Sequence, residues 1–78
     1  MNTTDFALRG DHITLDGLLK ATGLAGSGGA AKVLIADGQV RVNAQVEMRR
    51  GRKLRVGDTV EMADASVRLT AAAPGPDD

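Results

Sequence analysis

Apolar residues in the first half of the chain recur with the spacing of an amphipathic helix. Leu15, Leu18 and Leu19 share one face at spacing i, i+3 and i+4, directly after Thr14. A threonine in this position accepts a hydrogen bond from a free N–H group of the first helical turn. Gly23 tolerates the left-handed conformation in which helices commonly end. We therefore predict a first helix that Thr14 caps and Gly23 ends.

A second helix is predicted after a short loop of small residues. Ser27 is its candidate N-cap, and Ala31, Leu34 and Ile35 form the stripe that we expect to be buried. The helical pattern stops at Gly38, a residue type that suits a helix end.

Alternation of apolar and polar residues predicts short strands in the rest of the chain. One strand precedes the helices at residues 6–9, and the others lie between residues 39 and 69. A three-residue loop at positions 43–45 would keep one apolar face and form three cross-strand pairs: Val42 with Val46, Val40 with Met48, and Arg41 with Glu47. A two-residue loop would set Val42 opposite Gln45 and mix the two faces, so we predict the longer loop.

The order of these elements is one strand, two helices and then a small, mostly antiparallel sheet, which predicts an α+β fold. The 78 residues are enough for one small domain, which we place at residues 5–70. We expect residues 1–4 to form a flexible N-terminus. Residues 71–78 (AAAPGPDD) lack large apolar side chains and end in two acids, so we expect a disordered tail.

The chain carries no net charge, but its charges are segregated along the sequence. Residues 20–55 hold eight cations and two anions, a net charge of +6, whereas both flanking segments are acidic. Six cations fall within fifteen residues and are called the basic cluster: Arg41, Arg49, Arg50, Arg52, Lys53 and Arg55. Glu47 is the only anion among them. Such a concentration favours an anionic partner, and the excess of arginine suits forked contacts to phosphate.

Catalytic and metal-binding chemistry has little support in the composition. His12 is the only histidine and there are no cysteines, so we predict no catalytic residue, no metal site and no cofactor. Residues 26–31 (GSGGAA) fit the dinucleotide pattern G-x-G-x-x-[GA], but they follow a helix and a loop, not the strand which that fingerprint requires. Phe6 is the only aromatic residue, which excludes base stacking on aromatic platforms.

No segment of the sequence approaches the ~20 consecutive apolar residues of a membrane span, and the polar start MNTTDF is unlike a signal peptide. The absence of cysteine suits a reducing compartment. We therefore expect a cytoplasmic protein with no membrane partner and no small-molecule substrate.

Several segments, in order, resemble the S-four-like RNA-binding domain, the alpha-L motif named after a small-subunit ribosomal protein. They are ITLDGLLK at 13–20, SGGAAKVLIADGQVRVN at 27–43, EMRRGRKL at 47–54 and VGDTV at 56–60. The match spans about residues 13–62 and is most similar to short stand-alone bacterial members. Those members share an N-terminal strand and the Ser-Gly-Gly-x-Ala-Lys sequence.

The resemblance implies an RNA-binding surface made by the two helices and the strand-loop region after them. The matching positions are Lys20 on the first helix, Ser27, Gly28 and Lys32 at the second, and Arg41, Asn43, Arg49, Arg50, Arg52 and Lys53 beyond. The basic cluster adds Arg55 to this set. Two positions depart from the usual pattern: Ala44 replaces the glycine after the asparagine, and Gly28 replaces an arginine that many members carry. If the Ala44 site needs a positive φ, alanine costs roughly 1 kcal/mol there.

These observations together predict a monomeric, non-catalytic protein that binds structured RNA, such as ribosomal or transfer RNA, with a link to the ribosome or translation. The basic cluster and the N-terminal end of the second helix would make the contacts. One alternative is an interaction adapter whose basic cluster docks on an acidic protein partner. DNA is a third option because phosphate contacts do not distinguish the two sugars. However, the second helix offers Ala30, Ala31 and Val33 where a base-reading helix needs polar side chains.

Overall fold

The computed structural model describes residues 2–72 and contains two helices and two β-sheets. In chain order the elements are β1 (Asn2–Leu8), β2 (Ile13–Thr14), α1 (Leu15–Thr22), α2 (Gly28–Ala36), β3 (Val40–Val42), β4 (Gln45–Val46), β5 (Lys53–Leu54), β6 (Thr59–Met62) and β7 (Ala65–Ala71). The larger sheet has the order β1-β7-β6-β3-β4, and β2 pairs with β5. Only the pair of β1 and β7 is parallel among the described strands. The predicted α+β fold with a mostly antiparallel sheet is confirmed.

Both helices begin at the residues that the sequence predicts. Thr14 Oγ1 accepts a hydrogen bond from the Gly17 N–H at 3.4 Å at the start of α1, and Gly23 ends this helix with φ of 81°. Ser27 Oγ accepts one from the Ala30 N–H at 3.1 Å at the start of α2. These caps satisfy donors that would otherwise have no partner within the helix.

One apolar core lies between the helices and one face of the larger sheet. The side chains buried in it are Leu8, Leu15, Leu18, Leu19, Ala25, Ala31, Ile35, Val40, Val42, Leu54, Val60, Val67 and Leu69. Ala31 and Ile35 of the predicted stripe on α2 are thus buried, whereas Leu34 is half-buried and packs at the margin of the core. Removal of this apolar surface from water is the main force that holds the short elements together.

The turn between β3 and β4 is shorter than the sequence predicts. Val42 pairs with Gln45, so the turn contains only Asn43 and Ala44. Both residues have positive φ, 52° and 69°. This is the geometry of the two-residue hairpin turn whose twist matches that of the flanking strands. The predicted three-residue loop is therefore wrong.

The longer loop is predicted on the assumption that Val46 and Met48 lie on the buried face, but neither side chain joins the core. They are 53% and 61% exposed, and the side chain that is buried between them is Glu47. The N–H of Glu47 donates a hydrogen bond to the Val40 carbonyl at 3.0 Å, which continues the pairing past β4. The predicted pairs of Val40 with Met48 and of Arg41 with Glu47 are therefore absent, and Arg41 pairs with Val46.

The larger sheet extends past both predicted limits of the domain. Residues 2–4 pair in register with residues 65–67, inside the segment that the sequence predicts to be flexible. At the other end, β7 runs to Ala71, one residue into the predicted tail. Backbone hydrogen bonds form this parallel ladder, so it needs no apolar side chains at its ends. Residue 1 and residues 73–78 of the predicted termini lie outside the described residues.

Candidate nucleic-acid interface

The basic loop, defined here as residues 49–53, lies against the N-terminal end of α1. The Arg52 carbonyl accepts a hydrogen bond from the Leu15 N–H at 2.9 Å, and the Arg50 carbonyl accepts one from the Asp16 N–H at 3.1 Å. Both N–H groups belong to the first turn of the helix, where no partner exists within the helix itself. The backbone of the basic loop is consequently anchored, while most of its side chains are exposed.

Glu47 is the only anion inside the basic cluster, and its side chain is nearly buried at 10% exposed. Its Oε2 accepts a hydrogen bond from Arg49 Nε at 3.1 Å, and its Oε1 accepts one from Arg49 Nη2 at 3.2 Å. Arg49 therefore binds the carboxylate in a bidentate manner, with one hydrogen bond to each oxygen. Oε1 also accepts a 2.7 Å hydrogen bond from Arg52 Nη1.

These hydrogen bonds, first those from Arg49 and then that from Arg52, lower the pKa of Glu47 to about 2. The carboxylate is therefore charged at neutral pH. In return, Glu47 raises the pKa of Arg49. Two of the arginines that the sequence assigns to RNA binding thus already have an anionic partner within the protein.

Five other cations of the predicted site are exposed and form no ion pair within residues 2–72. They are Lys20, Lys32, Arg41, Arg50 and Lys53. Their charges are solvated in the free protein. A phosphate could therefore bind them without breaking an ion pair of the described residues, and would release its counterions on doing so.

Arg41 is separated from the basic loop by the sheet. In β3, Val40 and Val42 are buried and Arg41 between them is exposed, so Arg41 lies on the face that the helices do not cover. Its cross-strand neighbour on that face is Glu61 of β6. Glu61 partly offsets the charge of Arg41, because opposite charges on neighbouring strands attract. Arg41 therefore does not join the cations of the basic loop.

The N-terminal end of α2 has two N–H groups without a partner in the described part of the chain. Ser27 Oγ accepts the Ala30 N–H, but no acceptor within residues 2–72 contacts the N–H groups of Gly28 and Gly29. A Cβ added at Gly28 would meet nothing within 4 Å apart from the helix's own backbone and chain neighbours. The approach to these N–H groups is therefore open, and the exposed Lys32 stands one turn further along the helix. Free N–H groups and the helix dipole both favour an anion at this end.

The side-chain amide of Asn43 holds two turns together. Its Nδ2 donates to Asp58 Oδ1 at 3.1 Å, and its Oδ1 accepts the Thr59 N–H at 3.0 Å. Asp58 also accepts the Arg55 N–H at 2.8 Å, and this hydrogen bond is the main cause that lowers the pKa of Asp58. The guanidinium of Arg55 lies 4.0 Å from Asp11. Both predicted site residues, Asn43 and Arg55, therefore have internal partners.

Sequence reasoning missed the two carboxylates that organise these loops, Glu47 and Asp58. A lone acid within a run of cations is the signal that could have identified Glu47, because several donors compete for it. Asp58 follows Gly57 in a turn, a position where aspartate commonly accepts backbone N–H groups. Within residues 2–72, no three or more metal-ligating side chains are grouped, and no helix has the length and apolar character that a membrane span needs.

Comparison with known proteins identifies relatives in bacteria. The chain is 45% identical over 60 residues to the "Putative RNA-binding protein YbcJ" of Escherichia coli (strain K12), a match that covers 77% of this chain and 86% of that protein. It is 48% identical over 52 residues to the "Probable ribosome maturation protein RlbA" of Bacillus subtilis (strain 168), covering 67% of this chain and 73% of that protein.

The fold is also similar to a known structure. The solution structure of YbcJ from E. coli, described as revealing an alfaL motif involved in RNA-binding, matches with a TM-score of 0.62 and 39% sequence identity. This match covers 91% of this chain and 89% of that one. The S4 domain family matches residues 6–70, nearly all of the part that the structure describes. The chain therefore belongs to the S4 domain family.

Proposed function

We propose that this protein binds structured RNA and catalyses no reaction. The observation that carries the proposal is the anchored basic loop, which presents Arg50 and Lys53 as exposed cations, without an ion pair among residues 2–72, on a backbone held by α1. Contacts from a fixed backbone lose less conformational entropy on binding than contacts from a flexible one. Lys20 and Lys32 on the helices are exposed as well, and the open N–H groups at the start of α2 would bind a second phosphate.

The relatives support RNA over an acidic protein as the partner. One is named for RNA binding and another for ribosome maturation, and the similar solution structure is described by an RNA-binding motif. We extend this role to the present chain as a monomer in a bacterial cytoplasm, with ribosomal or transfer RNA as the target. The adapter and DNA-binding alternatives become outcomes of the experiment.

Binding to a structured ribosomal RNA hairpin should be measured against duplex DNA of equal charge and an acidic protein, each over a series of salt concentrations. RNA should bind most tightly, and the logarithm of its affinity should fall by several units per unit of log salt concentration because phosphate contacts release counterions. Binding that is undetectable at low salt, or that does not respond to salt, would exclude the proposal. Tighter binding of the acidic protein would establish the adapter.

Lys32→Ala tests whether α2 takes part. Alanine has high helix propensity, so the fold should be retained, while RNA affinity should fall and the salt slope should shrink by about one unit for one lost phosphate contact. Arg68→Ala is the matched control, because Arg68 is an exposed cation of β7 on the face that the helices do not cover. Equal slopes for the wild-type protein and Lys32→Ala would remove α2 from the interface.

A further inference from the structure

We propose that Glu47 is a positioning residue that divides the basic loop into an anchored pair and a contacting pair. Arg49 and Arg52 are held by Glu47 and fix the shape of the loop, whereas Arg50 and Lys53 contact RNA phosphates. This division rests on the proposed function and specifies which side chains carry it. The division also predicts that the loop contacts fewer phosphates than its number of arginines suggests.

The carboxylate of Glu47 has no acceptor capacity left for another partner. Oε2 accepts the Arg49 N–H at 3.2 Å and Arg49 Nε at 3.1 Å, while Oε1 accepts Arg49 Nη2 at 3.2 Å and Arg52 Nη1 at 2.7 Å. A carboxylate offers about four lone-pair sites, and the basic loop fills all of them. The backbone of Glu47 is itself tied to β3 through the Val40 carbonyl.

The same hydrogen bonds set the geometry of the loop. Arg49 and Arg52 stand at the two ends of a turn that the Arg52 N–H closes onto the Arg49 carbonyl at 3.2 Å. Glu47 therefore joins the end of β4 to both ends of this turn. If either arginine moved to a phosphate, a nearly buried carboxylate would lose hydrogen bonds, which is costly in a partly desolvated site. We infer that both arginines stay with Glu47 when RNA binds.

The two remaining cations alternate with the anchored ones along the loop. Arg50 follows Arg49 and Lys53 follows Arg52, and both are exposed without an ion pair in the described part of the chain. The Arg50 carbonyl accepts an N–H of α1, and Lys53 pairs with Thr14 in the smaller sheet. The backbones of both contacting residues are thus held in place.

The substitution Glu47→Gln distinguishes a positioning role from a purely electrostatic one, because the two predict opposite changes in RNA affinity. Removal of an anion beside a basic surface should tighten RNA binding if only net charge matters. If Glu47 positions the loop, affinity should fall about tenfold, equivalent to about 1.4 kcal/mol, in spite of the added positive charge. Glu61→Gln is the matched control, since Glu61 lies beside Arg41 on the other face of the sheet and its loss should not weaken binding.

A pair of charge-conserving variants tests the division even if Glu47→Gln fails to fold. Arg49→Lys keeps the charge but loses the fork on Glu47, so RNA affinity should fall; Arg50→Lys keeps a cation for phosphate and should bind nearly as the wild-type protein does. Thermal unfolding should verify that both variants are folded. The reverse order of affinities, or tighter binding by Glu47→Gln, overturns the division while the proposed function stands. If the wild-type protein binds no RNA, both proposals fail together.

Discussion

At the scale of single residues, the turn at Asn43 and Ala44 retains a backbone conformation that is energetically unfavourable for alanine. Both residues have positive φ, a region that asparagine tolerates and alanine avoids. The hydrogen bonds of Asn43 to Asp58 and Thr59 tie this turn to the start of β6. The tertiary contacts of Asn43 therefore hold its neighbour Ala44 in an unfavourable conformation.

Ala44→Gly should stabilise the protein. Glycine adopts φ near 69° without a steric penalty, so the free energy of unfolding should rise by roughly 1 kcal/mol, offset in part by the greater freedom of glycine in the unfolded chain. Thermal or denaturant unfolding measures the change. Ala21→Gly, at an exposed helical site in α1, is the matched control and should lower stability by up to about 1 kcal/mol. A loss of stability in Ala44→Gly would show that its positive φ carries no strain.

At the scale of elements, α2 depends on the core for its stability. Its nine residues are fewer than an isolated helix needs in water, so packing of its apolar face must supply what helix propensity does not. Ile35 is only 1% exposed, whereas Val33 on the same helix is 65% exposed. One stripe of α2 is thus essential to the fold, and another remains free for the candidate interface.

Ile35→Ala should lower the free energy of unfolding by about 2–5 kcal/mol, because it removes buried methyl groups and leaves a cavity. Val33→Ala removes two methyl groups that are already in contact with water, so its effect should stay within about 0.5 kcal/mol. Denaturant unfolding of the two variants measures both values. Similar losses from the two substitutions would mean that the buried face of α2 is assigned incorrectly.

At the scale of the whole molecule, two carboxylates organise the loops between the short strands. Glu47 joins the end of β4 to the basic loop, and Asp58 joins the β3–β4 turn to the segment before β6. Hydrogen bonds from their partners lower the pKa of both groups. Because a lowered pKa means that the charged form is favoured by folding, both carboxylates stabilise the native state only while ionised.

Acid should therefore destabilise the protein in a defined pH range. The contribution of Glu47 is fully present above its ordinary pKa near 4.5 and is lost as the pH falls toward about 2, the value in the folded protein. Urea unfolding at several pH values between 7 and 2 should show this decline. Glu47→Gln should show a shallower decline in the same range, because its amide does not titrate. Parallel curves for the two proteins would contradict the assigned role of this carboxylate.

Local interactions along the sequence determined both helices, their caps and the α+β class. Thr14 and Ser27 bond N–H groups only three residues ahead, so these helix starts need no tertiary information. The clustering of positive charge is likewise a property of the sequence. The alternation of apolar and polar residues, however, was insufficient to predict the β3–β4 turn. It implied that Val46 and Met48 are buried, whereas both are exposed.

Only the tertiary structure decided which members of the basic cluster have an anionic partner within the described residues. Arg49, Arg50 and Arg52 have identical side chains, but the shape of the loop places only Arg49 and Arg52 at the carboxylate of Glu47. The side of the sheet on which Arg41 lies depends on the pairing of β3, and the partners of Asn43 lie fifteen and sixteen residues away in the chain. Charge along a sequence can be counted, whereas pairing of charges depends on distances of a few ångströms that only the folded chain establishes.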